Sequence, residues 1–189
     1  MVMSPLIKKL MFVRQFDIDE GKIEMLGDRE IMISASVLLE LQEQDQSKLY
    51  EAAKTSSFKN IKGVIEHSKV YGGVKEVMSR EFAQLGKKIG NSEEGTIRVL
   101  QEVFNVYGLG NMAIQNMDNK NKKAVVTVKD SALAEEWVGK NKKRSAKPVC
   151  TLTAGVLAGV FSYIFSKKVE CAEESCKTQG KDYCLFNVG

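Results

Sequence analysis

Three cysteines and one glutamate between positions 150 and 184 have the types and spacing of a metal site. They are Cys150, Glu173, Cys176 and Cys184. Cys150 opens the apolar run C-T-L-T-A-G-V-L-A-G-V-F, Glu173 and Cys176 sit in E-E-S-C, and Cys184 lies in K-D-Y-C-L-F. Three thiolates and a carboxylate fill a tetrahedral shell, the geometry preferred by Zn²⁺. Four negative charges against two positive leave such a centre at roughly −2, so it needs donors or cations close by. Lys167, Lys168, Lys177 and Lys181 are near in sequence. A shell filled by protein leaves no open position for a substrate, which makes the site structural. Two other readings fit the same residues: buried cysteines acting as small hydrophobes, or a redox disulfide between two of them. Cys171 stands outside the pattern, alternating with Glu170 and Ala172, and reads as a packing residue.

These side chains need a helix start and a hairpin to bring them together. Pro148 suits the first turn of an apolar helix carrying Cys150, because proline's missing N–H costs nothing there. A thiolate at that helix start would be favoured by the dipole and the free N–H groups. Strands are predicted over 168–173 and 183–188, with Gly180 turning the loop between them. A hairpin of this kind gathers Glu173, Cys176 and Cys184, and the helix supplies the fourth ligand. Such a site ties helix to hairpin and stabilises folding directly.

Earlier segments supply the rest of the domain. Residues 8–34 alternate in the manner of short strands, broken by Asp19-Glu20-Gly21 and Gly27-Asp28. Val37, Leu38, Leu41, Leu49, Ala52 and Ala53 recur at three and four residues, the period of an amphipathic helix with no breaker before Gly63. A second helical stretch is predicted over 58–89, bent at Gly72-Gly73. A third starts near Ser92, with Glu93 and Glu94 suiting its N-terminal dipole, and ends at Gly108 or Gly110. Strands 112–117 and 124–128 flank the polar turn Asp118-Asn-Lys-Asn-Lys122 as a hairpin, and Asp130-Ser131 caps a short helix through Trp137. Strands, then helices, then hairpins mixed with helices argue an α+β class, an antiparallel sheet packed with helices. The expected organisation is an N-terminal region, 1–110, suited to dimerisation, and a metal-bearing region, 111–189, within one compact unit.

Composition bounds the function. The 189 residues are 43% hydrophobic and 28% charged, enough to bury a core without disulfide staples. A net charge of +4, from 28 basic and 24 acidic residues, is too small for a dedicated nucleic-acid binder. The basic cluster Lys140-Asn-Lys-Lys-Arg144 reads as a solvated loop. No secretory signal is visible, and the apolar run 149–165, with two threonines and a serine, falls short of the usual span of about 20 residues. Four cysteines without a signal point to a reducing compartment and a cytoplasmic protein. No catalytic set can be assembled: the sole histidine, His67, is isolated, and Gly108-Leu-Gly110 lacks the third glycine of a dinucleotide fingerprint. Gly155-Val-Leu-Ala-Gly159 is G-x-x-x-G inside a helix, a signal of close backbone packing.

The segments V-C-T-L-T-A-G-V-L-A-G-V-F, V-E-C-A-E-E-S-C and G-K-D-Y-C-L-F-N-V resemble the 4-vinyl reductase domain family, over about residues 125–188. The glutamate stands three positions before Cys176, a spacing similar to the zinc site of related aromatic-responsive transcriptional activators rather than the family's usual two. The resemblance implies a fold similar to the ligand-binding fold of nitric-oxide-sensing and Golgi transport-tethering domains. It implies a homodimer holding a small apolar or aromatic molecule between helices and sheet, with structural zinc beside the pocket. Candidate lining residues are Phe104, Tyr107, Trp137, Phe161 and Phe165. Haem is not expected, since the haem-sensing relatives bind iron through a histidine. A stand-alone sensor needs a separate signalling partner. The alternatives are an accessory or catalytic protein in tetrapyrrole vinyl reduction, or an interaction scaffold resembling the tethering subunits.

Overall fold

The computed structural model describes residues 16–17, 22–25, 28–67, 101, 104–105 and 107–189. The chain divides into two compact units, Met1–Ile33 and Ser34–Gly189. In the first, β1 (Phe16–Asp17), β2 (Lys22–Met25) and β3 (Asp28–Glu30) form an antiparallel three-stranded sheet in sequence order. These strands match the predicted alternation. Residues 68–89 of the helical stretch predicted over 58–89, and the start of the next near Ser92, lie outside the described residues.

The second unit opens with two helices, α1 (Ala35–Gln44) and α2 (Gln46–His67). The sequence reading places the break later, near Phe58. It falls instead at Asp45, whose backbone leaves the helical region (φ −155°, ψ 89°). The Asp45 carboxylate accepts the Lys48 N–H at 3.0 Å and so caps the second helix. Nothing then stops α2 at Phe58, and it continues through Gly63. His67 ends it.

Four further strands are β4 (Asn111–Asp118), β5 (Lys123–Lys129), β6 (Cys171–Ser175) and β7 (Cys184–Val188). They form an antiparallel sheet in the order β4-β5-β7-β6. The β4–β5 turn is closed by Asp118, whose Oδ1 accepts the Asn121 N–H at 2.9 Å. Between β5 and β6 come α3 (Ala132–Lys140) and α4 (Thr151–Ile164). The predicted start of α4 is too early. Pro148 lies before the helix, Cys150 is its N-cap, and the first turn is Thr151 onward. Likewise α3 runs past Trp137 to Lys140, and its N-cap Ser131 makes no side-chain capping bond.

α4 is buried on almost every side, which is why it reads as a continuous apolar run. It packs on α2 and on β6 and β7. Phe161, Leu157 and Ala158 have no exposed surface, nor have Val126, Val128 and Phe186 of the sheet. Each large side chain among them contributes about 1.5–3 kcal/mol on burial. On the α2 side the contact is backbone to backbone. A Cβ on Gly155 would stand 2.5 Å from the Tyr50 carbonyl oxygen, and one on Gly159 would overlap the carbonyl oxygen of Lys54. The G-x-x-x-G spacing therefore seats α4 against α2, as its pattern predicts. Leu39 and Ile61, from the N-terminal helices, share one core with α4 and the sheet.

A candidate metal centre

Each of the four predicted ligands is delivered by a different local device. Cys150 is fixed by the start of α4. Glu173 lies in β6 opposite Phe186, just before an irregularity that re-registers the strand at Ser175. Cys176 is the N-cap of the short 3-10 turn Lys177–Gln179, where the Gln179 side chain accepts the Cys176 N–H at 2.9 Å. Gly180 ends that turn at φ 86°, a left-handed conformation that glycine adopts without a Cβ penalty. Cys184 begins β7, paired with Val128 of β5.

These devices converge. One ligand atom from each of the four lies within 4.8 Å of all the others. Cys150, Cys176 and Cys184 are free thiols in this structure, with no exposed surface. The sulfurs are 3.8 Å apart between Cys150 and Cys176, 3.7 Å between Cys150 and Cys184, and 3.5 Å between Cys176 and Cys184. Around a Zn²⁺ with sulfur bonds of about 2.3 Å, a tetrahedron has edges of about 3.8 Å. The spacing fits. Glu173 gives a second test. Its Oε2 accepts the Cys150 N–H at 2.6 Å, while Oε1 is buried with no hydrogen-bond partner. An orphaned buried carboxylate oxygen is costly unless something positive or donating meets it. The cluster of Cys150, Glu173, Cys176 and Cys184 could hold a metal ion.

The electrostatics of the four groups by themselves point the same way. Burial and the neighbouring Cys176 push Glu173 up to about 8. Cys176 is pulled far below the usual thiol range by its hydrogen bonds with the Cys150 and Cys184 thiols, with Thr178 adding to them. Cys150 is pushed far up, by its bond to Cys176 first, then by Cys184 and burial. Cys184 is drawn down by Cys150 but raised more by Cys176 and burial, to about 12. Burial and mutual contact thus hold Glu173, Cys150 and Cys184 toward their protonated forms and Cys176 toward its ionised form. The sequence reading puts the favoured thiolate at Cys150, on the dipole of α4. Around Cys150 the sulfurs of Cys176 and Cys184 stand at 3.8 and 3.7 Å, and the Cys150 N–H serves Glu173.

The surroundings differ from the expected lysines. Lys177 donates to Glu135 on α3 and is committed there. Polar groups against the sulfurs include the buried Ser131 hydroxyl, 3.3 Å from Cys150 Sγ, Thr178 at Cys176 and the Lys177 backbone at Cys184. Read as a helix cap, Ser131 gives no hint in sequence of this contact with the cluster. Gln179 and Gln42 also escape the sequence reading. Each has a weak signal: Gln179 stands three residues after Cys176, and Gln42 is a polar residue on the apolar stripe of Leu38 and Leu39. Cys171 is buried opposite Val188, as a packing residue should be.

Of the five aromatic candidates, Phe104, Phe161 and Phe165 are buried in the core, and Trp137 packs against it half-buried. Phe161 and Phe165 are tilted neighbours with centroids 5.6 Å apart. Tyr107 is half-buried.

Comparison with known proteins places this arrangement in context. The family model of the 4-vinyl reductase domain matches residues 124–189. Uncharacterized protein MJ1460 of Methanocaldococcus jannaschii is 30% identical over 121 residues, covering 63% of this chain and 72% of that protein. The phenol-responsive sensory domain of the transcription activator PoxR, solved with phenol, superposes with a TM-score of 0.67 at 15% identity, over 98% of this chain and 90% of that one. A trafficking protein particle complex subunit 3 from Naegleria fowleri, covalently bound to palmitic acid, gives 0.51 at 12% identity, over 82% and 89%. At these identities the two structures establish a shared α+β fold.

Proposed function

This chain belongs to the 4-vinyl reductase domain family, and from that premise we propose that it is a sensor-like domain binding a small hydrophobic or aromatic molecule, stabilised by a structural zinc. The observation that carries the ligand-binding reading is the likeness of nearly the whole chain to a sensory domain solved with phenol. The sulfur spacing and the orphaned Glu173 oxygen support the zinc. Cys150, Glu173, Cys176 and Cys184 would hold it, and bound there it would neutralise the thiolates and fasten helix to hairpin.

The chain's own residues set what a ligand could do. Phe161, near the C-terminal end of α4, and Phe165, its C-cap, lie at the opposite end from Cys150. An occupant contacting these rings, with Phe104, Tyr107 and Trp137, would act on a helix anchored at its other end. Binding shifts a conformational equilibrium only through differential affinity for two states. The readout would be the surface offered to a second copy of the chain or to a separate partner.

Native mass spectrometry of freshly purified protein, with nothing added, tests this reading. A dimer with one zinc per chain and extra small-molecule mass is the expected result. A metal-free mass with oxidised cysteine pairs would remove the zinc site. Zinc-loaded chains that gain no mass from a panel of phenols and fatty acids would remove the sensor.

A further inference from the structure

Gln42 is only 3% exposed, on α1 and more than a hundred positions from the metal ligands. A buried primary amide is costly unless both ends are satisfied. Both are, and by the same short stretch of backbone. Its Nε2 donates to the Val149 carbonyl, and its Oε1 accepts the Leu152 N–H at 3.2 Å. These two groups bracket Cys150. The Leu152 N–H belongs to the first turn of α4, where amides lack partners within the helix. The Cys150 side chain makes no capping bond of its own. The cap of α4 is therefore supplied from α1.

The orientation admits one amide arrangement. Nitrogen faces a carbonyl and oxygen faces an N–H, so a carboxylate of the same length would set two oxygens against each other at Val149. On the far side, the Cys150 N–H is held by Glu173 at 2.6 Å. Backbone groups at 149, 150 and 152 are thus gripped by side chains from α1 and β6, and the grip sets where the Cys150 sulfur stands.

We propose that Gln42 is a positioning residue for the metal centre, and that through it metal binding and the docking of α1 are coupled. This rests on the zinc reading above. The coupling is reciprocal: whatever the clamp adds to metal affinity, bound metal adds to the seating of α1. Residues that orient ligands from behind typically alter metal affinity by about 10–100-fold.

The test uses the full chain with zinc alone. Zinc affinity is measured by competition with a chromogenic chelator for wild type, Gln42→Met and Gln42→Glu. The Met variant keeps the side-chain length and removes both hydrogen bonds. The Glu variant keeps only the acceptor. Both are expected to bind zinc about 10–100-fold more weakly. Ile61→Ala, which removes core volume on α2, is expected to lower the melting temperature and leave zinc affinity unchanged. A purely structural role for Gln42 would make its variants behave like Ile61→Ala, and that result overturns the proposal.

Hydrogen exchange on the wild type needs no variant. Zinc should slow exchange at amides 38–44 of α1. No change there on zinc binding overturns the coupling while leaving the zinc site intact. Wild type that takes up no zinc removes both the site and the inference.

Discussion

The burial and mutual contacts of the four clustered groups predict proton release on zinc uptake. At pH 7 these shifts favour the protonated forms of Cys150 and Cys184, both raised above the ordinary thiol value, and of Glu173, raised to about 8, and the ionised form of Cys176. Ligation by all four groups requires every one to be ionised. Uptake of one zinc at pH 7 should therefore release about three protons. The affinity should rise about a thousand-fold per pH unit near neutrality, since each proton is worth about 1.4 kcal/mol per unit. Above pH 8 Glu173 has already lost its proton, and the count should fall to about two by pH 9. Calorimetric titration of metal-free protein with zinc, repeated in phosphate, HEPES and Tris, gives the number from the dependence of the heat on buffer ionisation enthalpy. Release of one proton or fewer at pH 7 would refute the reasoning. It would mean that the site is already ionised or that fewer than four residues ligate.

The metal-free protein carries its own pH signature. Between about 4.5 and 8, folded Glu173 holds a proton that the unfolded chain lacks, while folded Cys176 lacks one that the unfolded chain holds, so their effects on stability oppose each other. Above 9 the unfolded thiols ionise while Cys184 keeps its proton to about 12. The cluster's contribution to metal-free stability is therefore lost as pH rises from 9 toward 12, a loss that chemical denaturation should show and zinc should suppress. Gly159→Ala would drive a methyl into Ser57 Oγ and the Lys54 carbonyl oxygen. Overpacking costs about 1–3 kcal/mol or more, against about 1 kcal/mol gained in helix propensity. A urea midpoint at or above wild type would refute the contact. Tyr50→Phe removes the hydroxyl that donates to Glu170 at 2.7 Å and accepts the Cys171 N–H at 2.9 Å. It should cost about 1–3 kcal/mol, and an unchanged midpoint would show that α2 is not fastened to β6 there.

How much was legible in the sequence depends on the range of the forces involved. The clustering of Cys150, Glu173, Cys176 and Cys184 was readable because thiolate chemistry constrains residue type as well as spacing. The β4–β5 hairpin and the small-residue face of α4 were readable because turn residues and missing Cβ atoms act locally. The break at Asp45 was hidden because aspartate interrupts a helix only when its carboxylate turns back to an amide three residues on, as it does to Lys48. Gln42 was hidden for a stronger reason. Its partners, Val149 and Leu152, lie on the far side of the chain, and one polar residue on an apolar stripe does not name them.

The packing of α4 constrains how a ligand could signal. At Gly155 and Gly159 the backbone of α2 comes close to α4, which leaves little room for a displacement there. Ser57 adds a bond from α2 to the Val156 carbonyl at 3.1 Å. A ligand that pushes on Phe161 or Phe165 therefore cannot slide α4 past α2 without overlapping backbone atoms. The pair should move as one body, and the give must appear at its edges: the Asp45 joint between α1 and α2, and the turn after Phe165, where Ser166 has a positive φ of 49°. Hydrogen exchange with and without a bound phenol would separate the cases. Changes at 44–48 and 165–169, with the α2 and α4 interiors unaltered, are the expected pattern. Altered protection in the middle of α4 alone would mean that the helices slip, and the close glycine contact would not be the rigid joint described.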